Sequence, residues 1–460
     1  MTAFQRLADQ RPAGKRPLVA MAASGQLGYG IPEPSFKAGL ARNPDFIGCD
    51  MGSVDPGPYY LGAGRMATNP EMTRRDLRLV LVGARRLGVP LLLGTAGTAG
   101  ATPHVDATLA MIRAIAQEEG LHFRLASIRA DVSAEMVIRA QASGQLHSLG
   151  RIRAPSPDEI AKSRIVGQMG VEPFARGLEG GADVVIAGRA CDTAVFAAIP
   201  RMLGYPMGLA MHMAKIIECT SICCVPGGRD TILGYLDNDS FVLDSMNPER
   251  HATPISVAAH SLYEQADPFS VAEPEGVLRL EDARYEALDA HRTRVHGARW
   301  EEAGRLRVKI EGALLEGQRA VLLAGSADPQ VIDRIDEILA AVEATTRDLF
   351  QSRFQLFPRI YGRQAVSLWP LREAAKAPDE IFIMVECISD DHDSAIGALT
   401  VFKQYLLHHG FPGRLSTGGN IAFPITPPEL TAGAAYRFSL YHLMEVDDLA
   451  SLFPIEFETL

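Results

Sequence analysis

Residues 212–219 read His-Met-Ala-Lys-Ile-Ile-Glu-Cys, the densest run of proton-moving side chains in the sequence. On a helix, His212, Lys215, Glu218 and Cys219 fall at i, i+3, i+6 and i+7 and share one broad face. Histidine, lysine and glutamate held together are the groups from which general acid–base catalysis is built. The plainer alternative is a Lys215–Glu218 pair beside a packed core histidine. Cys219, Cys223 and Cys224 have a C-x3-C-C spacing that fits no common zinc or cluster pattern, so they read as buried thiols and no metal is expected. Asp390-Asp-His-Asp393 reads as the polar cap of a helix at Ser394 rather than a cation site.

A second set of residues suits an anionic substrate. An apolar strand before Gly94 leads into a loop with glycines at 94, 97 and 100 and threonines at 95 and 98, then a helix near Pro103 with Thr102 as its N-cap. Free N–H groups at such a helix start favour an anion. Gly94, Thr95, Gly97, Thr98 and Gly100 are therefore expected to grip a carboxylate or phosphate, with His104 as a nearby acid–base candidate. Arg189, followed by Asp192 and Thr193, is expected to clamp a carboxylate through two hydrogen bonds; the alternative is an ion pair with Asp192 or Asp183. Gly28 and Tyr29 follow the first strand. Asp50, Ser53 and Asp55 follow the second, with Asp55 a further acid–base candidate. The G-x-x-G-x-G spacing of Gly25, Gly28 and Gly30 departs from the dinucleotide fingerprint, and Pro32 and Pro34 shorten the next helix, so NAD is disfavoured. The 94–104 loop lacks the Gly-Lys-Ser/Thr ending of a phosphate loop, and neither G-x-S-x-G nor H-E-x-x-H occurs.

These residues form a site only if their elements bring them together. Apolar runs at 18–24, 45–50, 91–93, 123–128 and 183–187 alternate with helical spacing at 73–87 and 106–119. That alternation predicts an α/β fold with a mainly parallel sheet over residues 1–235. Ligands of such sheets bind outside the carboxyl ends of the strands, so the loops at 24–30, 50–57, 94–104 and 188–193 are expected on one rim. Prolines and glycines argue against regular structure in the 51–68 loop. A helix is expected from Ser156 to Gly167 or beyond, and another from Leu209 to Cys224. After a hairpin at 231–243 the pattern changes to single strands and long amphipathic helices at 328–349 and 394–409. This predicts an α+β domain over residues 236–460 that contributes to the cleft.

The chain has 460 residues, 47% hydrophobic and 22% charged, and a net charge of -10. The charge and the scattered Lys and Arg argue against nucleic acid as a partner. The run Leu18–Ala23 is too short for a signal-peptide core, and no apolar stretch reaches the ~20 residues of a membrane span. Six cysteines do not make a disulfide framework, so a cytoplasmic protein is expected.

Taken as a set, Asp50-Met-Gly-Ser-Val-Asp-Pro-Gly-Pro-Tyr-Tyr60, the 94–104 loop, Ala187-Gly-Arg-Ala-Cys-Asp192, His212 to Cys219 and Gly419-Asn-Ile-Ala-Phe-Pro424 resemble the acyclic terpene utilisation AtuA-like family. The resemblance implies a role in the catabolism of branched or carboxylated compounds, in some members near acyl-CoA steps. It supplies no catalytic list.

Residues and resemblance together predict a homo-oligomeric catabolic enzyme of the hydratase, dehydratase or isomerase type, acting on a small carboxylic acid or acyl-CoA thioester. No cofactor is expected beyond CoA as part of the substrate. The alternatives are a non-catalytic subunit of a catabolic complex and a nucleotide-dependent oxidoreductase.

Overall fold

Strands covered on both faces carry apolar residues without alternation. Four segments here are buried end to end: β1 (Leu18–Ser24), β2 (Phe46–Asp50), β3 (Leu91–Gly94) and, later in the chain, Val184–Ala187. The computed structural model describes residues 1–10, 16–150, 152–263, 267–363, 365–366, 378–414 and 420–460. Gly419 of the last family-like motif lies outside them. Two compact units are present: Met1–Leu314 with Phe438–Leu460, and Leu315–Arg437.

In the first unit, helices α1 (Ala3–Gln10), α2 (Glu33–Leu40), α3 (Pro58–Ala63), α4 (Pro70–Leu87) and α5 (Thr102–Glu119) connect the first strands. Next come β4 (Arg124–Ile128), α6 (Ala134–Ala142), β5 (Leu146–Ser148), α7 (Pro157–Lys162), β6 (Arg164–Gln168), α8 (Val171–Glu179), β7 (Val184–Ala187), α9 (Asp192–Met202) and α10 (Met207–Ile217). The hairpin β8 (Ile232–Leu236) and β9 (Ser240–Ser245) follows, as its turn residues predict, then α11 (Pro254–Ser261).

A ten-stranded mixed sheet runs through this unit. Its centre is parallel, in the order β1-β2-β3-β7-β4. Antiparallel strands extend it: β8, β9, Thr293–His296 and Arg284–Ala287 beyond β1, and Ile455–Thr459 beyond β4. Side chains alternate between two cores. Leu18, Ala20 and Ala22 pack with Phe174, Phe196 and Leu209, whereas Val19, Met21 and Ala23 pack with Phe36, Leu81 and Ile112. Helices α8, α9 and α10 thus supply one face, and α2, α4 and α5 the other. Residue 235 lies inside β8, which pairs with β1 and β9, so the sheet continues through the position where the composition changes.

The second unit contains the later part of strand Leu306–Ser326, paired with Ile381–Ser389, which in turn pairs with Phe354–Tyr361. Helices Pro329–Leu349 and His392–His408 bury Ile335, Val342, Leu399 and Phe402 against these strands. The Asp391 carboxylate caps the second helix, accepting from the Ser394 N–H at 2.8 Å.

Several expected elements differ. The 51–68 loop contains α3, whose first helical position takes Pro58 at no hydrogen-bond cost. The helix begun at Ser156 stops at Lys162, and Arg164–Gln168 becomes a strand paired with Lys309–Ala313. The helix through His212 ends at Ile217, and Thr220–Cys223 turns as a short 3-10 segment. No described helix is long and apolar enough to cross a membrane.

A candidate active site at the carboxyl ends of the parallel strands

Because β1, β2, β3 and β7 are parallel neighbours, the four loops after them leave the same edge of the sheet. Those after β1, β2 and β7 meet the end of α10 there. A cavity of about 270 Å3 is lined by Ser24 and Tyr29 after β1, Asp50, Ser53 and Asp55 after β2, Asp192 after β7, and Glu218 and Cys219 after α10. Arg229 also lines it, exposed, with its guanidinium 5.5 Å from the Tyr29 ring centre.

The cavity is acidic. Burial pushes the Asp50 carboxyl well above its usual range, and the charges of Asp192 and Glu218 add to the effect. Burial likewise raises Asp192. Burial and then the charge of Asp192 push Glu218 up to about 7. Asp192 Oδ1 has no hydrogen-bond partner among the described residues. Ser53 Oγ donates to Asp55 at 2.7 Å. Lys215 Nζ stands 3.3 Å from Glu218 Oε1 and 5.7 Å from the Tyr263 ring centre.

The residues expected to grip an anion are already occupied. Arg189 is buried and donates through Nε to Glu311 at 2.7 Å, and its other nitrogens reach Glu311, Thr95 and Ala190. It therefore presents no free edge to a substrate, and its partner is neither Asp192 nor Asp183. The N–H groups of Gly28, Gly30 and Ile31 donate at about 3 Å to the buried carboxylate of Asp76, so this glycine loop already holds an internal anion. At the start of α5, Thr102 gives both its N–H and its hydroxyl to Asp131, and Ala101 rather than Thr102 is the N-cap. Gly94 to Gly100 are buried and line neither this cavity nor its larger neighbour. Thr95 Oγ1 accepts from the Ala190 N–H at 3.0 Å, and Thr98 Oγ1 accepts from the Ala67 N–H at 2.9 Å. These threonines fasten loop to loop.

His104 is buried, with Nε2 3.0 Å from the Tyr60 carbonyl and 3.2 Å from that of Arg65. It anchors the α3 segment. Thr193 Oγ1 donates to Glu273 at 2.8 Å. Glu273 and Cys191 face the neighbouring cavity of about 640 Å3, whose cationic residues are paired: Lys309 with Glu311, Arg305 and Arg307 with Glu445. The smaller cavity is the stronger site candidate, because Tyr29, Asp55, Asp192, Glu218 and Arg229 reach it from five separate segments.

His212 leaves the constellation. With α10 ended at Ile217, Glu218 and Cys219 turn toward the cavity, while His212 is fully buried with Nε2 3.0 Å from Ser261 Oγ and an edge contact to Phe241. Burial pushes its imidazole down to about 3, so it is neutral near pH 7 and no proton shuttle. The unfolded chain binds this proton near the ordinary value of 6.5. The contribution of a neutral His212 is therefore complete above about 6.5 and is lost as pH falls toward about 3, by up to ~1.4 kcal/mol per pH unit. His212→Gln is expected to flatten the acid limb of stability against pH in denaturation experiments. An unchanged slope would mean that the folded protein protonates His212.

Sequence reasoning missed Arg229 and Tyr263 at the cavity, His260 beside its Glu218 and Cys219, and Asp76, Asp131 and Glu311 as internal partners of the loops. His260, near the end of α11, is 6% exposed, and its Nε2 has no hydrogen-bond partner among the described residues.

The segment that carries α5, the strands β4 to β7 and the helices to α10 matches a family model. Residues 96–226 match the family model of the acyclic terpene utilisation family protein AtuA. The resemblance to that family is thereby borne out. The AtuA-matching segment contains Asp192, Glu218 and Cys219 of the cavity, whereas its Tyr29, Asp50, Ser53, Asp55 and Arg229 lie outside the segment. No curated protein and no solved structure matches the chain.

Proposed function

We propose that this protein is a catabolic enzyme of acyclic terpene utilisation. It acts on a small carboxylic acid, or on the acyl part of its coenzyme A thioester, by proton transfer next to a carbonyl, as in hydration, dehydration or isomerisation. The observation that carries this reading is the convergence of Asp50, Asp192 and Ser53 with Arg229 on one cavity at the strand ends. Arg229 pairs with the substrate carboxylate, the role the sequence suggested for Arg189, and a cavity carboxyl group moves the proton. A volume of about 270 Å3 is at the small end of ligand clefts, near ~300 Å3. It suits a short acid and leaves a coenzyme A moiety outside. Occupation of the Gly28–Ile31 amides by Asp76 supports this reading over a dinucleotide one.

A thermal-shift screen of hydroxy acids, unsaturated acids and their thioesters tests the proposal, because a ligand that binds only the folded form raises Tm. At least one such acid is expected to raise Tm, and Arg229→Ala to abolish the rise. With that acid as substrate, Asp192→Asn is expected to keep binding but lower turnover by about 10²–10⁴-fold. A rise with NADH or NADPH and none with the acids would overturn the reading.

A further inference from the structure

Glu218 is the C-cap of α10, Cys219 follows it, and His260 comes from α11. One ligand atom from each of the three, a carboxylate oxygen, a sulfur and an imidazole nitrogen, lies within 4.8 Å of the other two. Glu218 divides its oxygens: Oε1 faces Lys215 at 3.3 Å, and Oε2 accepts from Cys219 Sγ at 2.9 Å. His260 is 6% exposed and its Nε2 has no partner among the described residues. A buried imidazole nitrogen without a hydrogen bond costs free energy unless something binds it. Asp192 Oδ1, on the wall of the same cavity, is also unpartnered.

We infer that Glu218, Cys219 and His260 bind a divalent transition-metal cation of the zinc type, with an open coordination position toward the cavity. Three protein ligands and a vacant position are the arrangement of catalytic rather than structural zinc sites. The mixed sulfur, nitrogen and oxygen donors select zinc, cobalt or a similar ion over magnesium or calcium, which take oxygen ligands. Zinc–ligand bonds of about 2.0–2.3 Å put ligand atoms some 3–4 Å apart, so the three close on the ion by side-chain movements of about 1 Å. On binding, the Cys219 thiol proton leaves for solvent, sulfur binds as thiolate, and Glu218 Oε2 exchanges the S–H donor for the metal while Oε1 keeps Lys215. Asp192 lies outside the triad and lines the same cavity as Glu218 and Cys219. The inference concerns the proposed catalytic cavity but does not rest on the substrate assigned to it.

Co2+ titrated into chelator-washed, full-length protein is expected to bind stoichiometrically and to give a thiolate-to-cobalt charge-transfer band that Zn2+ displaces. Cys219→Ser is expected to abolish the band. His260→Gln and Glu218→Gln are expected to weaken Co2+ binding by at least ~10-fold, the lower limit even for residues outside the ligand set. Cys387→Ser, a buried thiol of the other unit, is expected to leave the band unchanged, and circular dichroism identifies any variant that fails to fold. Absence of the band in folded wild-type protein, or its persistence in Cys219→Ser, would overturn the inference. Should Cys219→Ser not fold, a wild-type band that His260→Gln leaves at full affinity overturns it equally. The readout is spectroscopic, so it is independent of whether any acid raises Tm.

Discussion

Glu311→Ala is expected to destabilise the first unit by about 3–5 kcal/mol, the range for stripping one partner from a buried ion pair. Arg189 and Glu311 are both buried and meet through two nitrogen–oxygen contacts at 2.7 and 3.4 Å. Burial alone would push the Glu311 carboxyl up, yet Arg189 and Lys309 hold it below its usual range. Burial likewise works against the Arg189 charge, and Glu311 more than offsets this. Without Glu311, Arg189 retains only the neutral acceptors Thr95 and Ala190, and its charge stays in a place that water does not reach. Lys309 is 24% exposed and can turn outward, so the loss falls mainly on Arg189. The double variant Arg189→Met with Glu311→Leu is expected to regain most of the lost stability, because apolar replacements of a buried pair are often neutral. Thermal denaturation of the three proteins checks this. A single variant within 1 kcal/mol of wild type would show that Arg189 is solvated, and so available to a ligand after all.

That pair also shows where the sequence was legible and where it was not. The run of strand-end loops could be read from local pattern, because apolar runs, glycines and helix starts are all short-range signals. It pointed to the strand-end rim and to Asp50, Ser53, Asp55, Asp192, Glu218 and Tyr29, which line one cavity. The anion sites failed for a common physical reason. A glycine loop, a helix start and a buried arginine each demand a negative charge, but the sequence does not say whether a ligand or a carboxylate of the same chain supplies it. Here Asp76 fills the Gly28 loop, Asp131 the α5 start and Glu311 the Arg189 fork. These acids stand 48, 29 and 122 residues away from the groups they satisfy, beyond any local signal. The His212 face failed through helix length: α10 ends at Ile217, about two turns short of Cys224, so Glu218 and Cys219 lie past its end. His260 arrives from a helix about forty residues downstream of them and carries no spacing signal at all.

Gly100→Ala is expected to cost about 2–5 kcal/mol, roughly twice or more the effect of Gly120→Ala, although both glycines have left-handed backbone at φ 69° and 59°. Gly120 ends α5, and a Cβ there would meet nothing within 4 Å. Its substitution carries only the left-handed penalty of an alanine, about 1–2 kcal/mol. A Cβ on Gly100 would instead lie 2.5 Å from the Gly188 carbonyl carbon and 2.6 Å from Arg189 Cα. Both are backbone atoms, and no rotamer change can move them aside. A Cβ on Gly188 would meet the Gly100 carbonyl oxygen in turn at 2.5 Å. The loops after β3 and β7 therefore touch backbone to backbone, and overpacking such a contact adds about 1–3 kcal/mol or more to the strain of the turn. The loop after β7 carries Arg189 at this contact and Asp192 three residues beyond it. A loop pushed away at Gly188 would carry Asp192 out of the cavity wall, so Gly100→Ala is expected to lower cavity ligand affinity as well as Tm, whereas Gly120→Ala lowers Tm alone. Equal losses of Tm in the two variants would mean that the loops separate freely, and that the spacing between Asp192 and the neighbouring cavity groups is not set by this contact.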